Sequence, residues 1–511
     1  MAWQETAKAK RESLLQAIPA QWRLTSSQIP PCNRLPDVTG FIRQHLDPAE
    51  LVITDSSADI LLQRIRAGDW SATEVTRAFC HRASLAHQLT SCLSEIFFEA
   101  ALKRAGEIDD HYQRTGQTIG PLHGLPVSFK DRIDIAGLDS ACGYISWIGC
   151  KKTAEDEGTL VRKLRAAGAV FFVKTSVPMS MLMGETSNNI TGSTCNPYNR
   201  MLSAGGASGG EGALLALRGS PLGWGSDIAG SVRIPCAFNN LYGLRPSCAQ
   251  SVIGPMATTL DVLTSVTKWI INENCCQDDF DVMDMPWNEE RFQSTRMRMC
   301  RPGETDGKLV IEWQPPAHGP AAVNLFQIFG STAGEEVRKA LKSSGEPPVH
   351  QLREWYEQQQ SEPSSSPEFW RLCALRDEYR AQYHAYWQST RGNTVSKKVV
   401  DGVILPIAPS AAVQEGFFHH FAYTAIASFL DYTAGCVPVT FADRALDPEE
   451  TRYKPVNQQD RQHWRTYQKE LFDGAPVGVQ VMGRRLQEEK VLAMMAAVSD
   501  ALAQYDPDAQ R

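Results

Sequence analysis

The sequence predicts an α/β protein, and three observations carry the prediction. A helical stretch over residues 159–167 is stopped by Gly168 and followed at once by the β-rich run Ala169-Val170-Phe171-Phe172-Val173. Upstream, the turn Pro121-Leu122-His123-Gly124-Leu125-Pro126 leads into the short strand-like run Val127-Ser128-Phe129, which ends on Lys130-Asp131. Near the C-terminus, residues 403–406 and 477–481 read as strands, and residues 488–502 form an amphipathic helix. Helix, glycine and buried strand in succession is the pattern of a sheet covered by helices.

The first 110 residues read as helical. Trp3, Leu14, Leu15, Ile18 and Trp22 make a rough apolar face, and Ser71-Ala72-Thr73-Glu74 is a capping box that opens a helix through Phe79 and Leu85. We expect this region, 1–110, to be scaffold within the same domain as residues 111–511, and its first helix is a candidate element for a homodimer. The middle of the chain, residues 203–233, is dense in glycine and holds Ser208 and Ser231, so its backbone must bend sharply or approach something closely. Residues 308–313 are a further strand candidate. Residues 350–390 form a polar, aromatic-rich helical excursion broken by Ser361-Glu362-Pro363-Ser364-Ser365-Ser366-Pro367, most simply a solvated surface segment.

Composition narrows the function classes. Of the 511 residues 42% are hydrophobic and 21% charged, and the net charge is −7, with no basic stripe that would neutralise phosphates, so nucleic acid is not an expected partner. The charged N-terminus lacks an apolar signal region, and no stretch approaches 18 uninterrupted apolar residues, so a cytoplasmic protein without a membrane span is expected. Thirteen cysteines without a CxxC pair read as reduced thiols in apolar settings. The eleven histidines show no HExxH spacing, and neighbouring His419 and His420 cannot both face one ion from a helix or strand, so no metal is expected. Asp109-Asp110 and Glu449-Glu450 lie in polar runs, which gives a paired-carboxylate glycosidase nothing to stand on.

Gly206-Ala207-Ser208-Gly209-Gly210 formally matches GxSxG, but that nucleophile elbow needs an apolar strand just before it, and Asn196-Pro197-Tyr198-Asn199-Arg200 is not one. A different combination is more specific. Gly120-Pro-Leu-His-Gly-Leu-Pro-Val-Ser-Phe-Lys130-Asp131, Gly205-Gly-Ala-Ser-Gly-Gly-Glu-Gly212 and Gly225-Ser-Asp-Ile-Ala-Gly-Ser231-Val-Arg-Ile-Pro235 together closely resemble the amidase signature family, nearest its acetamidase-like branch. Lys174-Thr-Ser-Val-Pro178, Asn188-Asn189, Asn196-Pro197 and Gly474-Ala-Pro-Val-Gly-Val-Gln480 extend the likeness over most of the chain.

The resemblance implies a single large α/β/α domain with a mixed central sheet, no cofactor, a small-molecule amide substrate, and hydrolysis to acid and ammonia through an acyl-serine. By resemblance Ser231 is the nucleophile and Lys130 the base of a Ser-cis-Ser-Lys relay. A serine hydroxyl needs such a base, and a lysine can serve only if desolvation or neighbouring positive charge keeps it neutral. The backbone N–H groups of Ile228, Ala229, Gly230 and Ser231 correspond to the oxyanion turn, Met181 to a substrate contact, and Asp227 and Arg233 to residues that hold the turn's shape.

This chain departs from the pattern in three places. The bridging serine of relatives lies 24 positions before the nucleophile, where this chain has Ala207, and loss of one proton-transfer group typically costs roughly 10²- to 10⁴-fold in rate. Adjacent Ser208 is a candidate substitute. Relatives carry glycine at Ala229, where an alanine disfavours φ > 0 and is expected to distort the turn. The segments after Ser247 and after Pro316 are shortened, which is expected to open or unseat the pocket. The alternative reading is therefore a catalytically silent or repurposed amidase-like protein of a specialised metabolic pathway, and the amidase subunit of a tRNA-dependent amidotransferase is a more distant one.

Overall fold

The computed structural model describes residues 2–299, 310–357, 362–394, 396–449 and 452–505. At its centre is a mixed nine-stranded sheet: β1 (Leu93–Ile96), β2 (Pro126–Lys130), β3 (Val170–Thr175), β4 (Gly223–Asp227), β5 (Tyr242–Arg245), β6 (Val252–Ala257), β7 (Val403–Pro406), β8 (Ala434–Phe441) and β9 (Pro476–Met482). Their spatial order is β1-β3-β2-β4-β6-β5-β8-β9-β7. The β3-β2-β4 pairings are parallel and every other pairing is antiparallel. Every residue of β2 and β3 is buried, as strands covered on both faces must be, and this is why they read as near-continuous apolar runs.

Helices cover both faces. In the β8–β9 register Gly435 opposes Val481 while Pro438 opposes Gly478, which puts the two glycines on opposite faces. Gly435 lies under Met495 of the helix Glu488–Tyr505, and Gly478 lies under Ala237 of the helix Arg233–Phe238. The expected elements appear within a few residues of their predicted bounds: the helix Thr159–Ala166, with Gly168 at φ +89°, and the helix Ala72–Thr90, whose Ser71–Glu74 capping box is formed. Asp109 accepts bonds from Ala72 N, Thr73 N and Thr73 Oγ1, so this carboxylate anchors a helix start. Glu450 lies outside the described residues.

Several expectations need correction. The N-terminal region is not all helical, because it supplies the edge strand β1. Its first helix, Trp3–Ala17, spends its inner face within the chain: Ala7 and Leu14 are buried, and Lys10 pairs with Glu95 on β1. The strand candidate at 308–313 is not a strand over residues 310–313, and Lys308 and Leu309 lie outside the described residues. The excursion is more than a solvated surface. Its helix Ser366–Ser389 buries Leu372, Tyr383 and Trp387, the last edge-on to Trp313 at 5.1 Å, and Ser365 caps it through Glu368 N; Ser361 lies outside the described residues.

The shortened segments are well seated. The β5–β6 connection is pinned by Arg245, which donates to the carbonyls of Pro246 and Ala249 at 2.9 and 2.7 Å, while Ser247 N and Oγ donate to Glu488 at 2.8 and 2.7 Å. After Pro316 the chain enters the helix His318–Phe329, whose Ala321, Ala322 and Leu325 pack in one cluster with Ala229. Among the described residues no helix is long and apolar enough to cross a membrane, and no group of three or more His, Cys, Asp or Glu side chains could hold a metal ion.

Candidate active site

Lys130 is the last residue of β2. Its side chain is fully buried, and burial pushes its ammonium down to about 7. Its Nζ donates to Ser226 Oγ at 2.9 Å and to Ser226 O at 3.3 Å. Ser226 lies near the end of β4, so the β2–β4 pairing, with Phe129 opposite Trp224, sets this meeting.

The glycine-dense segment splits into two structural pieces. Residues 205–208 lead into the buried helix Gly209–Ala216, where a Cβ at Gly210 would stand 2.5 Å from Ser176 N and O, so only glycine fits. The peptide between Gly206 and Ala207 is cis, and Ala207 is fully buried. Ser208 N donates to Ser231 O at 3.1 Å, and Ser208 Oγ is turned to Ser226 O at 3.4 Å. The structure thus gathers Lys130, Ala207, Ser208, Ser226 and Ser231 from three segments, with Ser231 largely buried and Ser226 half-buried.

Asp227 builds the turn between β4 and Ser231. Its Oδ1 accepts from Gly230 N at 2.8 Å, its Oδ2 from Val232 N at 3.2 Å, and both oxygens accept from the Arg233 guanidinium at 2.9 and 3.0 Å. Burial opposes ionisation of Asp227, but Arg233, with help from Arg245 and these N–H donors, holds its carboxyl down at about 2. The Gly230 N–H is therefore already committed. Among the described residues no acceptor takes the N–H of Ile228, Ala229 or Ser231, so these three donors are uncommitted. The expected distortion at Ala229 is absent, since the positive φ falls on Gly230, at +124°, and not on Ala229. Thr424 Oγ1 donates to Ala229 O at 2.6 Å and fixes the turn from the far side.

Ile228 and Ala229 continue into an apolar cluster with Leu325, Phe326 and Phe421, which begins on the same turn that bears Ser231. Met181, with φ +60°, is half-buried against the cluster of Cys142, Tyr144, Met179, Val337 and Leu341. His420 packs edge-on to His463 and Tyr423.

Four supporting residues escaped the sequence reading. Ser226 and Glu211 lie inside the quoted motifs but carried no distinguishing feature. Glu211 is fully buried, accepts from Ser128 Oγ and from Thr175 Oγ1 (the latter at 2.8 Å), and is pushed up to about 7 by burial. Glu185 accepts from Gly416 N and Phe418 N at 2.8 and 2.7 Å, and burial raises it likewise to about 7. Thr424 lies far from any motif and Glu185 between two of the quoted stretches, and only the folded chain brings them to the site.

Known proteins resemble this chain over nearly its whole length. The Amidase family model matches residues 74–297 and 304–492. An acetamidase of Aspergillus oryzae is 35% identical, covering 98% of this chain and 99% of its own length, and an acetamidase of Emericella nidulans is 34% identical, covering 98% of each. The Aspergillus alignment spans 548 positions, more than this chain's 511 residues, so that relative carries segments this chain lacks. Among solved structures a fatty acid amide hydrolase superposes with a TM-score of 0.87 at 30% identity, over 98% of this chain and 95% of that one. The chain belongs to the amidase signature family, enzymes that hydrolyse the carbon–nitrogen bond of linear amides.

Proposed function

We propose that this chain hydrolyses a small linear amide with Ser231 as nucleophile and Lys130 as base, at a rate lowered by Ala207. The observation that carries the reading is Lys130, buried at a strand end with its ammonium pushed to about 7, in one constellation with the turn that bears Ser231. A neutral lysine amine there accepts a proton at ordinary pH, which a surface lysine would not. As Ser231 Oγ attacks the carbonyl carbon, the C=O electron pair moves onto oxygen, and the N–H groups of Ile228, Ala229 and Ser231 face the developing charge. Preorganised donors of this kind are commonly worth about 3 kcal/mol each. The tetrahedral centre then expels the amine, which takes its proton from the Lys130 ammonium, and water releases the acid from Ser231.

The likeness to acetamidases supports a short acyl group, and the apolar cluster of Ile228, Ala229 and Phe421 suits its hydrocarbon part. Ala207 places no hydroxyl where the family's relay serine stands. Restoring it by Ala207→Ser is expected to raise hydrolysis of acetamide-type substrates by roughly 10²- to 10⁴-fold. Ser231→Ala is expected to abolish the activity in both backgrounds. An Ala207→Ser protein that turns over amides no faster than the parent goes against the reading, and favours instead a repurposed protein that keeps the fold and pocket.

A further inference from the structure

Ala207 leaves a gap in the proton path, and the surrounding hydroxyls are not equivalent. Ser208 is next in sequence, but its Oγ is turned to the Ser226 carbonyl and makes no bond to Lys130 among the described contacts. Ser226 does make one: its hydroxyl lies 2.9 Å from Lys130 Nζ, within the range for proton transfer. It is also the hydroxyl best placed to meet solvent, because Ser226 and Ile228 are both half-buried while Ala207 and Ser208 are fully buried. Ser208 ties the two serines together, its N–H donating to Ser231 O at 3.1 Å and its Oγ to Ser226 O at 3.4 Å, so a water molecule entering there would lie among polar groups of both, which is what an ordered site water requires.

We propose that Ser226 is the proton-relay residue of this chain, linking Ser231 to Lys130 through one solvent molecule in place of the hydroxyl that Ala207 lacks. The inference rests on the assignment of Ser231 and Lys130 made above. In the forward step the Ser231 Oγ–C bond forms as the Ser231 proton passes to the water. The water gives a proton to Ser226 Oγ, and the Ser226 proton passes to the Lys130 amine, which becomes an ammonium. No net charge is created on Ser226 or on the water. When the tetrahedral centre collapses, the same path runs in reverse and delivers the proton to the departing nitrogen, so Lys130 ends as it began. Ser226 touches the base and not the substrate carbonyl.

The test compares five proteins by their rate of inactivation with a fluorophosphonate, read as covalent adduct on Ser231: the parent, Ser226→Ala, Ser226→Thr, Ala207→Ser, and Ala207→Ser combined with Ser226→Ala. In the parent background Ser226→Ala is expected to slow labelling by about 30-fold or more, and Ser226→Thr, which keeps the hydroxyl, to stay within about 3-fold. In the Ala207→Ser background the restored hydroxyl takes over the transfer, so Ser226→Ala is expected to cost no more than about 3-fold. A merely structural role for Ser226 would cost the same in both backgrounds, and that result overturns the relay, as does an unchanged rate in the parent background. Labelling of Ala207→Ser with none in the parent also overturns it, since no working relay then exists without the restored serine. Failure of Ser231 to react in any of the five proteins removes the nucleophile assignment itself and the relay with it.

Discussion

Gly230→Ala is the substitution whose consequences the structure specifies most fully. Gly230 has φ +124°, a backbone region that costs a side-chain-bearing residue about 1–3 kcal/mol. A Cβ there would also stand 2.6 Å from Thr424 Cβ, still closer to Thr424 Oγ1, and 2.8 Å from Ile234 Cδ1, so Thr424 or the turn must move. Overpacking of this kind typically costs about 1–3 kcal/mol, for a total on the order of 2–6 kcal/mol. With an unfolding entropy of about 2.1 cal/mol/K per residue, the whole chain gives roughly 1 kcal/mol per degree, so the melting temperature is expected to fall by about 2–6 °C. Activity should fall further than stability, because Thr424 also holds Ala229 O at 2.6 Å, and a displaced turn misaims the donors at Ile228, Ala229 and Ser231. Differential scanning fluorimetry and amide hydrolysis on Gly230→Ala, alone and with Thr424→Gly, separate the two parts. The second change removes the Thr424 part of the collision while itself giving up the bond to Ala229 O, so measured against Thr424→Gly alone, Gly230→Ala is expected to cost less than it does in the parent. A Gly230→Ala protein with parental melting temperature and activity refutes the reasoning.

Other consequences follow from the charged groups. The amine of Lys130 acts in its neutral form, so kcat/KM is expected to rise as pH is raised through about 7 and to level above it; a flat profile between pH 6 and 8 contradicts the assignment. Asp227→Asn strands the buried Arg233 guanidinium, a loss typically of about 3–5 kcal/mol, and thermal melting should register it as a drop of roughly 3–5 °C. Because the Asp227 carboxyl is lowered from 3.8 to about 2 on folding, its contribution is full above 3.8 and is lost as pH falls from there through about 2, so the Asn variant should be equally destabilised at pH 5 and pH 8. Glu211 has the opposite sign. Its folded value near 7 exceeds the ordinary carboxyl value of 4.5, so its contribution is full below 4.5 and is lost as pH rises through 7. Glu211→Gln should therefore compare more favourably with the parent at pH 8 than at pH 5 in melting experiments.

Much of the frame was legible in the chain because burial on both faces writes itself into sequence. β2 and β3 read as strands since every one of their residues is buried, and Lys130 stood out as a charge at the end of such a run. Elements that break the apolar pattern were hidden. β4 reads as a glycine turn, yet Gly223 and Gly225 serve a strand packed tightly against Glu211 and Ser208. β8 carries Gly435 and Pro438, residues that ordinarily demote a strand; Gly435 makes room for Met495, and the register is irregular next to Pro438. β1 is a four-residue edge strand between two long helices, too short for a period to show. At the candidate site, the family resemblance points to Ser231, Lys130 and Ala207, whereas the bond from Lys130 to Ser226 and the support from Thr424 depend on strand register and on contacts between residues nearly 200 positions apart. The strain expected at Ala229 was misplaced by one residue, because the turn puts its positive φ on Gly230.

The central claim is that Ser231 is the residue that forms the covalent intermediate. Its most direct test is to treat the unaltered protein with a fluorophosphonate and map the modified peptide by mass spectrometry. The account predicts an adduct on the peptide containing Ser231, absent in Ser231→Ala and strongly slowed in Lys130→Ala. An adduct on Ser208 or Ser226, or one that survives Ser231→Ala, contradicts it.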